Sequence, residues 1–218
     1  MARSRSIAVI GLGTFGGAIV QTLARFGDHV LGLDLTESNV ARHGDALARS
    51  VIGDAREVRV LEEAGLGSYD VAVIAMATDI EANLLAVMNA KAMGVPEVWA
   101  KATTDTHARI LEQVGVDRVL RPEETFGEQL AQVLHNPLVR GTVRLTGDLH
   151  LAQIGAPRRV CGRRLQDVRF GERHDLMCLG LLRGLVPVPA SGDEVIEEGD
   201  TLLLVGTRSA MRAFADRS

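Results

Sequence analysis

Ile7-Ala8-Val9-Ile10-Gly11-Leu12-Gly13-Thr14-Phe15-Gly16-Gly17 sets the terms on which the rest of this 218-residue chain is read. Four apolar residues predict a buried strand, and a G-x-G-x-x-G turn follows at Gly11, Gly13 and Gly16. Ala18–Phe26 then places apolar residues at helical spacing. Strand, glycine turn and helix in this order form the context in which the motif carries a mechanism. The first glycine lets the chain turn sharply, the second lets backbone approach a phosphate, and the third lets helix and strand pack closely. The free N–H groups and the dipole at the helix start favour an anion. A second apolar run, Val30–Leu33, ends at Asp34, where a carboxylate can take a ribose hydroxyl pair. The other reading is a doubly wound domain whose turn glycines only pack.

The same grammar continues. Thr36-Glu37-Ser38 predicts a helix start, with the helix running to about Asp45. Ser50-Val51-Ile52 predicts a strand that reaches Gly53-Asp54-Ala55. Asp54 either caps a helix over 56–64 or lies near an adenine. Val71–Ala75 predicts a buried strand and leads into Met76-Ala77-Thr78-Asp79, followed by a helix that Gly94-Val95-Pro96 ends. Val98–Lys101 predicts a fifth strand, with Lys101 at its carboxyl end, either merely exposed or facing phosphate. Asp105–Val114 predicts a helix and Asp117–Leu120 a sixth strand, before Arg121-Pro122-Glu123. Six strands alternating with helices imply an α/β, Rossmann-like, doubly wound parallel sheet. Thr125–Leu134 predicts a crossover helix, broken by Asn136-Pro137. Beyond it, strands around 149–154, 176–182 and 201–205 and short helices around 162–168 and 209–215 predict a second, smaller α+β domain. Pro187 and Pro189 interrupt its middle. The expected division is residues 1–135 for the nucleotide domain, 136–147 for a linker and 148–218 for the second domain.

Composition limits the functions available. The net charge of −4 and the lack of a basic stripe with interleaved aromatics speak against nucleic acid as a partner. Arg158, Arg159, Arg163 and Arg164 form a local cluster, either a solvated face or an anion or partner contact. Cys161 and Cys178 have neither metal nor redox spacing and suggest a reducing compartment. No apolar run approaches bilayer length, and the basic N-terminus lacks an apolar signal region, so the expectation is a cytoplasmic protein. His29, His43, His107, His135, His150 and His174 are scattered, read as surface or interface residues, and none pairs with a neighbouring acid. Ser4, Ser6 and Ser191 lack a nucleophile-elbow context. The pattern favours ligand sensing over catalysis.

The Gly11–Gly17 turn, Asp34, Gly53-Asp54-Ala55, Trp99-Ala100-Lys101-Ala102, Leu111–Val119 and Arg121-Pro122-Glu123 together resemble the RCK proteins. More narrowly, they resemble the cytosolic regulatory subunits of Ktr/Trk potassium-uptake systems. Gly162–Val168, Pro187-Val188-Pro189 and Ile196–Leu202 are similar to that family's C-terminal RCK domain. The resemblance implies a non-enzymatic gating subunit, its homodimers assembled into an octameric ring on the cytoplasmic face of a potassium-translocating membrane subunit. An NAD(H)-binding redox sensor and a small NAD(P)-dependent dehydrogenase are the rival readings. It implies ATP or ADP as ligand, alternatively NAD or NADH, held by Gly11, Gly13, Thr14, Phe15, Gly16, Asp34, Leu35, Gly53, Asp54, Ala55, Ala75, Met76, Ala77 and Lys101. It assigns Glu123 to a divalent cation, Mg²⁺ or Ca²⁺, at the phosphates, whereas capping preference would make Glu123 a helix cap. Two departures stand out. Thr14 occupies a position where Ktr-type members usually carry arginine, which bears on the preference for ATP. Gly171-Glu172-Arg173-His174-Asp175 lacks the first arginine of the cyclic di-AMP motif, which speaks against that ligand in the second domain.

Overall fold

The computed structural model describes residues 5–216. Ser4 and the outermost ends of both expected domains lie outside them. The chain divides between Glu123 and Glu124 into two units.

The first unit is a six-stranded parallel sheet: β1 (Ile7–Ile10), β2 (Val30–Asp34), β3 (Arg49–Ile52), β4 (Val71–Ile74), β5 (Glu97–Lys101) and β6 (Arg118–Leu120). The spatial order is β3-β2-β1-β4-β5-β6, the doubly wound order whose strand sequence reverses beside β1. Between the strands run α1 (Thr14–Phe26), α2 (Glu37–His43), α3 (Val58–Glu63), α4 (Ile80–Ala92) and α5 (Asp105–Val114). Alternation along the strands assigns the two faces. Ala8, Ile10, Leu31, Leu33, Ala72, Ile74, Val98 and Ala100 pack with Leu61, Ala86, Val87 and Leu111. Val9, Val30, Val71 and Val73 pack with Leu12, Val20 and Val40 on the other face. Strands covered on both sides read as near-continuous apolar runs, which is why this half of the chain is so legible.

α6 (Pro122–His135) starts in the first unit and continues into the second. The second unit is a five-stranded antiparallel sheet of order β10-β9-β11-β8-β7. Its strands are β7 (Val139–Thr146), β8 (Leu149–Gly155), β9 (Leu176–Arg183), β10 (Val186–Pro189) and β11 (Thr201–Thr207). Short helices α7 (Leu165–Val168) and α8 (Phe170–His174) and the terminal α9 (Arg208–Asp216) accompany it. Ile154, Leu181, Ile196, Leu202, Leu204 and Phe214 are its innermost side chains.

Two expectations are corrected here. Residues 136–147 are not a linker: β7 occupies most of that span and pairs with β8 across a Gly147-Asp148 turn, Gly147 having φ +52°. Pro187 and Pro189 do not interrupt the sheet but lie in β10, at its edge, where the missing N–H groups cost no ladder bond. Among the described residues, no helix is long and apolar enough to cross a membrane.

Candidate functional site

The carboxyl ends of β1, β2, β4 and β5 open into a cleft beside the reversal of strand order, where ligands bind in sheets of this kind. The glycine turn at its centre shows three different constraints. Gly11 has φ +92°, and a Cβ there would lie 2.9 Å from the Met76 nitrogen. At Gly16 a Cβ would lie 1.9 Å from the Gly11 carbonyl oxygen, so α1 starts against the turn only because that atom is missing. A Cβ at Gly13 would meet nothing within 4 Å, and the residue lines the cleft. Helix α1 has no side-chain cap and no acid in its first turn. Its leading N–H groups are left for an anion.

Asp34 closes the turn from β2. Its Oδ2 accepts from the Leu12 N–H at 2.6 Å, and its Oδ1 accepts from the Thr36 N–H at 2.7 Å and Asn39 Nδ2 at 3.2 Å. A carboxylate has about four acceptor positions, so one remains for a ribose hydroxyl. The carboxylate is thus scaffold as well as candidate ligand contact.

Beside β2 and β3, a space of ≈ 200 Å³ is lined by Leu35, Gly53, Asp54, Ala55, Arg56, Thr78, Asp79 and Ala82 together with Gly11, Asp34 and Met76. Asp54 does not cap the next helix, because α3 begins only at Val58 with Glu57 as its N-cap. Instead it accepts from the Arg56 N–H at 2.9 Å and from that residue's guanidinium at 2.5 Å. The guanidinium holds the Asp54 carboxyl below the usual carboxylate range.

At the start of α1, a space of ≈ 470 Å³ is lined by Gly13, Thr14, Phe15, Asn39, Ala75, Met76, Ala77, Lys101, Thr103 and Glu123. The structure therefore brings every residue expected at a nucleotide site to one cleft except Gly16, which shapes the turn from behind. Lys101 is not merely exposed: its side chain is only 14% accessible, and Nζ lies 2.5 Å from Glu123 Oε1 and 5.4 Å from the Phe15 ring centroid. The ammonium keeps the Glu123 carboxyl below its ordinary value. Glu123 lies inside α6, one residue after its start at Pro122, rather than capping a helix from outside. Among the described residues, no group of three or more His, Cys, Asp or Glu side chains could hold a metal.

Asn39, Arg56, Thr78, Asp79, Ala82 and Thr103 line the cleft unannounced by any motif. Asp79 alone had a readable signal, as an acid ahead of an apolar helix. It caps α4 by accepting from the Ala82 N–H at 2.9 Å. The histidines are corrected: His43, His107 and His150 are 8%, 1% and 3% exposed, not surface residues. Each has a polar partner, Asn83 in the interior for His107 and the exposed Gln21 and Arg208 for His43 and His150, and a partner is the condition for burying such a group. The arginine cluster also comes apart. Arg159 donates to the Phe214 carbonyl, Arg163 to the Asp167 carbonyl and Arg164 to Asp193, while Arg158 stays exposed. Burial pushes both Cys161 and Cys178 thiols up, away from the reactive thiolate form.

Comparison with known proteins agrees with this fold. The TrkA-N domain family matches residues 7–122 and the TrkA-C domain family matches residues 149–218. Ktr system potassium uptake protein A of Bacillus subtilis (strain 168) is 27% identical over 213 residues, covering 97% of this chain and 96% of the relative. The protein of the same name from Vibrio alginolyticus is 29% identical over 208 residues, covering 95% and 94%. Among solved structures, the GsuK channel bound to NAD superposes with a TM-score of 0.69 at 14% identity, covering 98% of this chain and 39% of that one. The Shewanella denitrificans Kef C-terminal domain in its AMP-bound form superposes with a TM-score of 0.53 at 26% identity, covering 60% of this chain and 79% of that one. The chain thus spans well under half the length of the GsuK channel. With both domain families matched in their places along a Rossmann-like unit and a smaller antiparallel one, the chain belongs to the TrkA-N/TrkA-C family of RCK proteins.

Proposed function

We propose that this chain is the nucleotide-binding regulatory subunit of a potassium-uptake system, acting by binding rather than by turnover. The observation that supports this most is that the two domain matches and the potassium-uptake relatives run along the same, nearly complete length. The cleft supplies the physical basis: an uncapped helix start for phosphate, Asp34 for ribose, and a separate space of ≈ 200 Å³ for a base. ATP and ADP are the proposed ligands, with contacts from the cleft residues named above. A divalent cation, Mg²⁺ or Ca²⁺, between Glu123 and the phosphates would release Lys101 to the phosphates themselves. A carboxylate beside phosphate is repulsive without such an ion. Homodimers assembled into an octameric ring would dock on the cytoplasmic face of the potassium-translocating subunit. Ligands would bias the ring only through differential affinity for its states.

The second reading is an NAD(H) sensor. Thr14 favours it, because the glycine turn offers no cation to a terminal phosphate. Calorimetric titration of the full chain with ATP, ADP, NAD⁺ and NADH separates the two. Tighter binding of ATP and ADP supports the first; NADH and NAD⁺ bound more tightly than either supports the second. Substrate-dependent oxidation of NADH, followed by absorbance, would overturn the non-enzymatic reading.

A further inference from the structure

Two polar side chains lie deep in the first unit, beneath the cleft rather than on its surface. Asn83, on α4, is 0% exposed, and His107, on α5, is 1% exposed. Asn83 Nδ2 donates to the Met76 carbonyl and, at 3.2 Å, to the Lys101 carbonyl. Both amide protons are then committed, and Oδ1 is left to accept from His107 Nε2 at 3.2 Å. His107 therefore carries its proton on Nε2, and its Nδ1 is buried without a partner. The backbone of His107 is held as well: its N–H donates to Thr104 Oγ1 at 3.1 Å, the cap of α5.

The two carbonyls so joined belong to cleft residues. The Met76 backbone is the surface against which the Gly11 turn closes, and Lys101 brings the ammonium of the phosphate side. We infer that Asn83 and His107 are positioning residues for the nucleotide, a single amide holding the end of β4 against the glycine turn and the end of β5 that aims Lys101. The inference rests on the nucleotide reading above. Neither side chain touches the ligand. An apolar pair of similar volume would fill the same space, but it would leave the Met76 and Lys101 carbonyls unpaired and free to turn. What the amide adds is direction. Its loss should act on both halves of the cleft together, weakening AMP and ADP by similar factors. Replacing Lys101 should weaken ADP more than AMP.

The test is calorimetric titration of the full chain with AMP and ADP, for wild type, His107→Leu, His107→Gln and Asn83→Leu. His107→Leu and Asn83→Leu should each weaken both nucleotides roughly tenfold, on the scale of one lost buried hydrogen bond. His107→Gln keeps an N–H donor for Asn83 Oδ1 and should restore most of that loss. His107→Leu binding both nucleotides as wild type does overturns the inference. Wild type that binds neither AMP nor ADP overturns the nucleotide reading instead. If the leucine variants do not fold, ¹⁵N spectra of the wild-type imidazole decide. A neutral ring protonated on Nε2, with an Nδ1 resonance that moves when ADP binds, supports the inference; the opposite tautomer, or a resonance that ADP leaves unmoved, overturns it.

Discussion

Asp34 holds three donors of its own chain before it meets any ligand. Hydrogen bonds to a charged group are worth about 1.5–3 kcal/mol each, so Asp34→Ala should show two effects. Affinity for all adenosine nucleotides should fall roughly tenfold, equivalent to about 1.4 kcal/mol. The melting temperature should fall with it, because the glycine turn loses its tie to β2. Calorimetry and thermal denaturation check the pair; unchanged affinity beside a lowered melting temperature would leave Asp34 a scaffold residue only. Thr14 and Glu123 make a second residue-scale case. Thr14→Arg adds a cation where the turn has none and should raise ATP affinity more than ADP affinity. Glu123 is paired with Lys101 at 2.5 Å, so Glu123→Gln should free the ammonium, remove the Mg²⁺ dependence of ATP binding and leave ADP binding nearly intact. Titrations with Mg²⁺ and with chelator test this, and persistence of the Mg²⁺ dependence in Glu123→Gln would remove the cation from Glu123.

Elements show why the glycines are not equivalent. A Cβ at Gly16 meets the Gly11 carbonyl oxygen at 1.9 Å, whereas one at Gly13 meets nothing within 4 Å. Gly16→Ala should therefore destabilise the β1–α1 unit itself, lowering the melting temperature by several degrees for each kcal/mol lost. Gly13→Ala should leave the melting temperature nearly unchanged while weakening nucleotides that carry phosphate. Equal effects of the two substitutions on stability would show that the turn is held elsewhere. The regular elements of the first unit were readable because buried parallel strands announce themselves as apolar runs. β7 was not, since only Val139 among its residues is buried and most of the strand faces outward. Its hairpin signal, Gly147-Asp148 between two strand-like runs, was the cue available.

For the molecule as a whole, Asp117 in the first unit and Asp200 in the second each join separate segments of the chain. Asp117 accepts from Lys91 and the Val98 N–H, both at 2.7 Å, and Lys91 holds its carboxyl below the ordinary value. Asp200 is 1% exposed; burial acts to raise its carboxyl, and the bonds from Arg183 at 2.9 Å and from the Glu197 N–H at 2.8 Å bring it down overall. In both cases the folded state holds its proton less tightly than the unfolded chain. Their stabilisation is present above the unfolded value of about 3.9 and is lost as pH falls through the lowered folded values. His107 and His150, whose charged forms burial disfavours, act earlier: their contribution holds above about pH 6.5 and declines as pH falls below it. Denaturation midpoints measured from pH 7 to pH 3 should therefore fall in two stages. His107→Gln should flatten part of the upper stage and leave the lower one intact; a lower stage that vanishes in that variant would contradict the assignment.

Residue order alone made the strand, glycine turn and helix around Gly11–Gly16, the acid Asp34 at the end of β2, the six-strand parallel sheet and the family resemblance legible. These rest on local spacing and on two-sided burial, both of which leave periodic traces in a sequence. Long-range pairing leaves no such trace. Lys101 and Glu123 are 22 residues apart and meet at 2.5 Å. Asn83 and His107 are 24 residues apart and lie side by side. Pro187 and Pro189 belong to a strand because that strand is an edge, a property of the assembled sheet rather than of the prolines. Such pairings depend on which strand ends the crossovers bring together, and on whether a polar group finds its partner before it is buried. Both conditions are met only once the whole sheet has formed.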